Sequence, residues 1–457
     1  MRVVSFFAGL VSMIGVLIMA AHLSGGTIDW RSILVQPSGS YQASKANAAT
    51  HECTMLGVHA ASFSCEVVGN PNATRWPEAT AEHSFARSVW DMEIATIGSR
   101  GERIYFGGGD WGLNQGPVPI WSLFLHSLEN GERVSRVVAE QPVFGEAVEF
   151  LREIEGQLYI PDIDPSDPWS LGNIYALGAE GWFKYRSLDN AVHVFDVIGF
   201  QGVLVASAGV VENDTGLAGL FTSADQGVSW ARVPASEAEA KKSYRFWRMA
   251  EFGDRLFIGK ANARSGYWTL DPNWVLESHD TDLFPDMLDA DLRLTVSRAE
   301  KFGDSILYLP GLERLPVRKD LLEAPLAPVY QSNEHFVAWW EKLRAAWPLM
   351  HRDLHRLSGD GDVSVVALPG DPEVNDITVI ADTVFVLGVS FDEGFYEAII
   401  LSSDDLREWS EVHRVETSGI AYSFEQLGGE WFLGLAADGM SDTNGASGEI
   451  LRIRARK

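Results

Sequence analysis

The sequence predicts an all-β protein, a β-propeller of seven four-stranded blades, with six blades as the alternative. A short pattern recurs along the chain, in which a turn residue precedes three or four β-prone apolar residues. Successive copies lie about 50 residues apart with one longer interval, and each is flanked by one strand before it and two after it. A ring of such sheets buries both faces of every sheet, which a lone sheet cannot do. The copies begin at Gly101, Gly156, Gly202, Gly253, Gly303, Asp382 and Gly429.

The charge of the chain limits the partners that it can bind. Its 457 residues include 63 acidic and 36 basic side chains, which gives a formal net charge of −27. Binding to nucleic acid requires a basic surface that neutralises phosphates, so we expect no nucleic-acid partner. The same excess of acids disfavours docking on anionic lipid and favours cations or basic partners.

The amino terminus is predicted to direct export. The run from Val3 to Ala21 carries no charge, and as a helix it would rise about 28 Å, close to the thickness of a bilayer core. Both an uncleaved signal anchor and a cleaved signal peptide are compatible with this N-terminal hydrophobic helix. Arg2 favours a cytoplasmic amino end, so the rest of the chain is expected in the periplasm or outside the cell. If uncleaved, residues 3–21 hold the protein at the membrane.

Two cysteines, Cys53 and Cys65, follow within the exported segment 22–87. In an oxidising compartment such a pair predicts a disulfide, and two free buried thiols are the alternative. A bridge between positions so close in sequence is expected to fix a local turn. The propeller itself is expected to span residues 88–457.

A second motif supports the propeller. Ser223, Asp225, Gly227 and Trp230 form the pattern S-x-D-x-G-x-x-W, and a degenerate copy contains Ser402, Asp404 and Trp409, with Leu406 in place of the glycine. The pattern resembles the Asp-box, or BNR repeat, of sialidase-like propellers. This resemblance implies a structural turn between the third and fourth strands of a blade. The Arg-Ile-Pro motif expected of a true sialidase is absent ahead of the first copy, so sialidase activity is not expected.

If that turn joins the third and fourth strands, the loops between second and third strands and between blades open on the opposite face, here called the loop-rich face. These loops contain carboxylates, amides and Trp rings, which suit a glycan, a protein ligand or a cation. The alternative is that the loops are acidic only because they are hydrated. The candidate ligand-binding residues are Asp110, Trp111, Asn114, Asp162, Asp164, Trp169, His193, Asn213, Lys260, Arg264, Asp392 and Asp438.

Three of these residues allow two sharper hypotheses. Asp162 and Asp164, with Asp167, offer oxygen ligands for Ca²⁺, although the glycine-bearing loop of the EF-hand is absent. His193 titrates near neutral pH and is a candidate acid or base, whereas the alternative is a hydrogen bond within the propeller. No further cofactor is predicted.

The longest interval predicts an insertion at residues 318–371. Phe336, Trp340, Leu343 and Trp347 recur with the period of an amphipathic helix. We expect this stripe to pack on the propeller rim. A lid or a partner-binding surface at residues 339–347 is the alternative, because Trp side chains frequently anchor protein interfaces.

Together these features predict a non-enzymatic ligand-binding or scaffold module on the outer side of a membrane. The alternative is a carbohydrate-active enzyme, a glycoside hydrolase or lyase, that uses acids of the loop-rich face. The sequence assigns no catalytic residue. A deep pocket with converging carboxylates favours the enzyme, and a flat or apolar face favours the scaffold.

Overall fold

The computed structural model describes residues 53–113, 116–168, 170–212, 215–234, 243–287, 294–311, 316–346 and 351–456. The predicted N-terminal hydrophobic helix and Trp347 lie outside these ranges. Within the described ranges, none of the helices has both the length and the hydropathy required to span a bilayer.

Seven antiparallel sheets form the blades of a propeller, which confirms the predicted fold class and blade number. The chain begins with β1 (Thr54–Leu56) and β2 (Phe63–Gly69). Blade 1 contains β3 (Met92–Thr96), β4 (Glu102–Phe106), β5 (Trp121–Ser127) and β6 (Arg133–Ala139). Blade 2 contains β7 (Arg152–Ile154), β8 (Gln157–Pro161), β9 (Leu171–Gly178) and β10 (Gly181–Asp189). Blade 3 contains β11 (Ala191–Phe200), β12 (Val203–Glu212), β13 (Thr215–Ser223) and β14 (Ala231–Arg232).

The later blades follow the same order. Blade 4 contains β15 (Phe246–Phe252), β16 (Arg255–Lys260), β17 (Tyr267–Leu270) and β18 (Leu276–His279), and blade 5 contains β19 (Val296–Phe302), β20 (Ser305–Pro310), β21 (His355–Leu357) and β22 (Val363–Val365). Blade 6 contains β23 (Glu373–Ile380), β24 (Thr383–Asp392), β25 (Phe395–Ser403) and β26 (Ser410–Thr417). Blade 7 contains β27 (Ile420–Leu427), β28 (Glu430–Ala436) and β29 (Ile450–Ala455). The α-helices are α1 (Ala81–Arg87), α2 (Lys319–Glu323), α3 (Pro328–Gln331) and α4 (Glu334–Ala346). Short 3₁₀ turns lie at Gly57–His59, Pro71–Thr74, Gly98–Arg100 and Ala263–Ser265.

The repeated sequence pattern is the hairpin between the first and second strands of each blade. In several copies both central residues of the turn have positive φ, which is the type I′ turn that suits the twist of paired strands. Glycine adopts this conformation without strain, so the turn leaves a visible mark in the sequence. Such pairs are Glu155-Gly156, Gln201-Gly202, Ala381-Asp382 and Gly428-Gly429.

Both ends of the described chain close the ring. Strand β2 pairs with β29 and supplies the fourth strand of blade 7, with Cys65 opposite Ile453. Strand β1 adds a fifth strand to blade 6 by pairing with β26. The ring therefore includes residues from 54 onwards, which is earlier than the expected start at residue 88.

The predicted disulfide is present between Cys53 and Cys65, with the Cα atoms 5.7 Å apart. It connects the residue before β1 to β2, and these strands lie at the outer edges of blades 6 and 7. The bridge thus joins the edges of two neighbouring blades at the closure of the ring. The sequence had predicted that it would fix only a local turn outside the main fold.

The helical insertion interrupts blade 5 between β20 and β21. Strands β21 and β22 lie inside the segment 318–371 that was predicted to be inserted, so the insertion is shorter at its carboxyl end. In α4, Trp340 and Leu343 are buried and Phe336 is partly buried, as the helical period predicts. These side chains belong to the largest hydrophobic cluster of the described chain. A partner-binding role for this helix stays a prediction.

Candidate functional site

The first strands of the seven blades surround a cavity of about 1230 Å³ on the axis of the ring. Its wall includes the hairpin turns at Glu155, Gln201 and Ala381, together with Ser223 and Gln226 from the turn between β13 and β14. The cavity therefore opens on the face that carries these turns, here called the hairpin face. This is the face opposite the loop-rich face on which the sequence placed the ligand-binding residues.

The deep end of the cavity is closed by a network of six charged side chains, here called the ion-pair belt, in which Arg152 reaches down from one level nearer the mouth. Its members are Asp91, Asp196, Asp376, Arg152, Arg248 and Arg298. Each of the three aspartates also accepts a backbone N–H from the next blade. The donors are Leu151 to Asp91, Met249 to Asp196 and Phe424 to Asp376, at 2.6, 2.7 and 3.2 Å. The belt thus fixes neighbouring first strands to one another around the axis.

Arg298 makes the most extensive contacts of the belt. Its guanidinium donates to Asp376 at 3.0 Å and to Asp91 at 2.9 Å, and also to the backbone carbonyls of Trp90 and Glu149 at 2.8 and 3.3 Å. These partners belong to blades 6 and 1 and to the segment that precedes blade 2. Because burial of an unpaired guanidinium is costly, this full set of acceptors makes the arginine acceptable inside the ring.

The other two arginines continue the belt. Arg152 donates to both carboxylate oxygens of Asp196 at 3.2 Å, and Arg248 donates to the carbonyls of Ser297 and Phe195. The Cζ atoms of Arg152, Arg248 and Arg298 lie 4.9, 4.3 and 5.5 Å from the ring centre of Phe150. Phe150 is therefore contacted by three cations, which its π face stabilises.

Three glutamates lie nearer the mouth and form what we call the glutamate layer. Glu93, Glu300 and Glu425 come from the first strands of blades 1, 5 and 7. Unlike the three aspartates of the belt, they take part in none of the ion pairs found among the described residues. Glu93 accepts the backbone N–H of Glu153 at 2.8 Å, and Glu425 accepts that of Gln426 at 2.9 Å.

Burial strongly perturbs this layer. It raises the pKa of Glu425 to about 8 and that of Glu300 to about 7. Burial, reinforced by the charge of Glu425, raises the pKa of Glu93 well above its usual value. Near neutral pH the layer therefore holds protons that a bound cation can replace.

The wall as a whole is acidic. Nine carboxylic acids line it against two arginines, and both arginines are already bonded to aspartates of the belt. Around the mouth, Glu251 has its own cation, Lys301, at 2.7 Å. The nine acids are Asp91, Glu93, Glu102, Glu153, Glu155, Glu251, Glu300, Asp376 and Glu425.

The side of the belt that faces away from the cavity is covered by aromatic rings. Trp90 contacts Phe85, Trp111 and Tyr422, with ring centres 4.7, 5.3 and 5.0 Å apart, and Tyr330 of α3 contacts Phe85 from the insertion. The void left between these rings and Arg298 is about 10 Å³. The loop-rich face therefore offers no comparable opening along the axis within the described residues.

Several of the predicted ligand-binding residues support the loops. Asp110 is buried and accepts the hydroxyl of Tyr330, and Trp111 joins the aromatic cover. Asp438 is buried and accepts the backbone N–H groups of Val317 and Arg318 at 2.7 and 3.0 Å. These contacts hold the insertion to the loop-rich face.

The remaining candidates are spread among blades. Lys260 donates to the Ser265 carbonyl, Arg264 pairs with Asp282, and Asp392 ends an exposed hairpin. Three further candidates, Asn114, Trp169 and Asn213, lie outside the described residues.

The candidate calcium ligands are bonded to protein side chains, and the amide of Asn173 donates to both Asp162 and Asp167 at 2.9 Å. Asp162 accepts from Asn173 at 2.9 Å, Asp164 lies 3.0 Å from Nδ1 of His193, and Asp167 pairs with Lys184. Burial raises the pKa of Asp162 to about 7. The structure thus brings together Asp164 and His193, and burial lowers the pKa of that histidine.

The turn at residues 223–230 lies between the third and fourth strands of blade 3. The hydroxyl of Ser223 donates to Asp225 and accepts the backbone N–H of Gly227, both at 2.8 Å, while the indole of Trp230 donates to the Gly227 carbonyl at 3.0 Å. These bonds are internal to the hairpin, so the motif serves the fold.

The second copy of this turn is shifted by one residue from its predicted register. The hydroxyl of Ser403 accepts the backbone N–H of Leu406 at 2.9 Å, and Asp405 accepts those of Arg407 and Glu408 at 2.8 and 2.9 Å. The expected residues were Ser402 and Asp404, but Asp404 instead accepts the hydroxyl of Thr383 at 2.6 Å. Leu406 adopts a φ of +63°, so a non-glycine residue takes the left-handed position.

One group of metal-ligand type lies away from the cavity, on the loop-rich side of blades 5 and 6. His351, Asp353 and Asp371 place their ligand atoms within 4.8 Å of one another. Nδ1 of His351 lies 2.9 Å from Asp353, and this hydrogen bond raises the pKa of His351. When His351 is protonated, this contact is an ion pair between imidazolium and carboxylate.

The glutamate layer was not identified from the sequence. A signal does exist, because each of its members is a charged residue inside an otherwise β-prone stretch just ahead of a repeated hairpin. Irregular pairing conceals which side chains face the axis, because the first strands of several blades contain a bulge before the belt position. A bulge changes the face on which every later residue lies.

A scan against protein-family models and a search of curated proteins each found no match. Among solved structures, a polysaccharide lyase, Uly1, is 7% identical over 81% of this chain and 90% of its own, with a TM-score of 0.42. The GH74 enzyme of Niastella koreensis is 10% identical over 79% of this chain and 53% of its own, also with a TM-score of 0.42. The β-propeller domain of the Trilobed protease from Pyrococcus furiosus is 9% identical over 72% and 96%, with a TM-score of 0.34. At these scores they support no inference about family or activity.

Proposed function

We propose that this chain is an exported, non-enzymatic ligand-binding propeller, and that its binding site is the central cavity on the hairpin face. The ligand is a small cation. One observation carries this proposal: the cavity wall presents nine carboxylic acids, and its two arginines are already bonded to the aspartates of the belt. A cation placed among Glu93, Glu300 and Glu425 adds positive charge to a layer whose neighbouring cation, Arg152, is bonded to Asp196.

Two features support the proposed location of the protein. The disulfide between Cys53 and Cys65 is typical of an oxidising compartment, and the uncharged run at residues 3–21 is a suitable export element. Cell fractionation with protease protection tests this part. Recovery of the folded protein in the cytosolic fraction, with both thiols free, would contradict it.

Calorimetric titration tests the binding site. We expect small cations such as putrescine or Ca²⁺ to bind the purified protein at pH 8, and neutral sugars to bind much more weakly. The triple variant Glu93→Gln, Glu300→Gln and Glu425→Gln should lose most of this affinity. Its matched control is Asp392→Asn with Glu393→Gln, because these exposed acids lie in the hairpin between β24 and β25. Equal binding by the triple variant and the control would refute the site.

A second candidate function is glycan cleavage in the same cavity. It is favoured by the pKa of Glu425, which burial raises to about 8, because a carboxyl that stays protonated at neutral pH is a suitable general acid. The acids concerned lie on the hairpin face, and not on the loop-rich face that the sequence favoured. If the native protein cleaves a member of a glycan panel and the Glu425→Gln variant does not, the cavity is a catalytic site and not only a binding site.

A further inference from the structure

The distribution of charge inside the cavity points to one class of cation. This inference rests on the proposed cation binding, and concerns which cation the site is built for. We propose that the ligand is an elongated aliphatic polyamine, with one ammonium group at the glutamate layer and another among the acids of the mouth.

The cavity has room for a ligand much larger than a single metal ion. Its volume of about 1230 Å³ is many times the roughly 30 Å³ that one water molecule occupies in the liquid. An ion bound by the glutamate layer leaves most of this space to solvent. A chain of several methylene groups fills far more of it.

The acids lie at two depths along the axis. Arg152, Glu300 and Glu425 each stand two positions before the last paired residue of their first strand, which places them at one level. Glu155, at the exposed turn, follows Arg152 by three residues along the same hairpin. Strand β7 ends at Ile154, so the two levels are separated by its last two steps, about 7 Å at about 3.3 Å per residue, and by the turn that begins at Glu155. An extended polyamine chain spans this distance.

The wall between these levels is partly apolar. Blade 3 contributes Ile198 to the cavity at a position where blades 2, 5 and 7 carry charges. Phe200 and Ile154 line it at the ends of their strands. Methylene groups gain free energy when they leave water for such a surface. A ligand with charged ends and an apolar middle therefore matches the wall, whereas a compact ion matches only its deep end.

The charge state of the layer adds a dependence on pH. Burial raises the pKa values of Glu425 and Glu300 to about 8 and 7, so an ammonium group that binds there displaces protons. Affinity should rise between pH 6 and pH 8. The charged groups that face this layer from neighbouring strands are Asp91, Asp196, Asp376, Arg152, Arg298, Glu153 and Glu251.

Isothermal titration of the purified protein with a series of cations tests the inference. At pH 8 and 150 mM salt, spermidine should bind at least tenfold more tightly than putrescine, and putrescine at least tenfold more tightly than methylammonium. Glu425→Gln and Glu155→Gln, which act at the two depths, should each weaken spermidine at least fivefold. Glu393→Gln removes one exposed charge from the opposite face and should leave the affinity unchanged, which separates the site from general attraction to a protein of charge −27.

The outcomes distinguish the two proposals. Equal affinities for methylammonium and spermidine, both lost in Glu425→Gln, would refute the polyamine and leave the cation site standing. If Glu393→Gln weakens spermidine binding as much as Glu425→Gln does, the polyamine site is refuted as well. If none of these cations, Ca²⁺ included, binds, both proposals fail. Thermal melting of each variant shows that it is folded, and Glu300→Gln provides a second variant of the deep layer.

Discussion

Arg298 in the first strand of blade 5 donates from Nη2 to Oδ1 of Asp91, which immediately precedes the first strand of blade 1, at 2.9 Å. Blades 6 and 7 lie between these two residues along the ring, so the hydrogen bond crosses part of the central space of the ring. The same guanidinium bonds Asp376 of blade 6 at 3.0 Å. The floor of the cavity and the alignment of three blades thus depend on one side chain.

Replacement of this arginine should be strongly destabilising. Arg298→Leu leaves Asp91 and Asp376 buried without their cation, and the loss of one partner from a buried ion pair costs about 3–5 kcal/mol. The free energy of unfolding, measured in urea at pH 7, should fall by that order. Arg407→Leu is the control, because that side chain is exposed. A loss below about 1 kcal/mol would show that the belt is not a structural floor.

The disulfide should stabilise the closed ring. Its cysteines are separated by 12 positions, and a bridge of similar loop length contributes about 3 kcal/mol in the chain-entropy account. Because β2 completes blade 7, the double variant Cys53→Ser and Cys65→Ser should melt at a lower temperature. Differential scanning calorimetry of oxidised protein, reduced protein and the double variant measures this. Identical melting of all three would mean that strand pairing alone holds the closure.

The fold was predictable because its signal is local. A type I′ turn requires two residues of positive φ, so pairs such as Gln201-Gly202 mark several of the hairpins in the sequence. Ring closure by β2 leaves no such mark, because it depends on pairing between residues such as Cys65 and Ile453 that lie at opposite ends of the chain. The early segment was therefore assigned to a separate region.

The site was harder to predict, because the face of the sheet on which a side chain lies depends on how the strands pair. In β19 the register shifts between Val296 and Arg298, and in β23 it shifts between Val374 and Asp376. Strict alternation counted from the ends of these strands therefore gives the wrong face. The sequence also indicated that loops on one face were rich in acids, but not that Trp90 and α3 cover the axis there.

The glutamate layer should make the protein less stable as the pH rises. The pKa of Glu425 is raised from 4.5 to about 8 by burial, so between these values the folded state holds a proton that the unfolded state has lost. Stability must then fall as the pH increases through this window. Glu425→Gln removes this titrating group. The free energy of unfolding of the variant, relative to that of the native protein, should therefore increase from pH 5 to pH 8, by a few kcal/mol at most.

Urea unfolding at pH 5, 6, 7 and 8 measures this trend. Glu393→Gln is the control, and its difference from the native protein should stay nearly constant because the side chain is exposed. A stability difference for Glu425→Gln that is independent of pH would show that this carboxyl is ionised throughout. Saturating spermidine should reduce the effect in the native protein, because a bound ammonium favours the ionised carboxylate.

The register of the second turn gives a final prediction. Asp405 accepts the backbone N–H groups of Arg407 and Glu408, whereas Asp404 accepts one exposed hydroxyl, that of Thr383. A side chain that caps backbone donors typically contributes about 1 kcal/mol, so Asp405→Ala should cost about that much. Asp404→Ala should cost less, and chemical denaturation of the two variants at pH 7 compares them directly. The reverse order would favour the register read from the sequence, in which Asp404 aligns with Asp225 of blade 3.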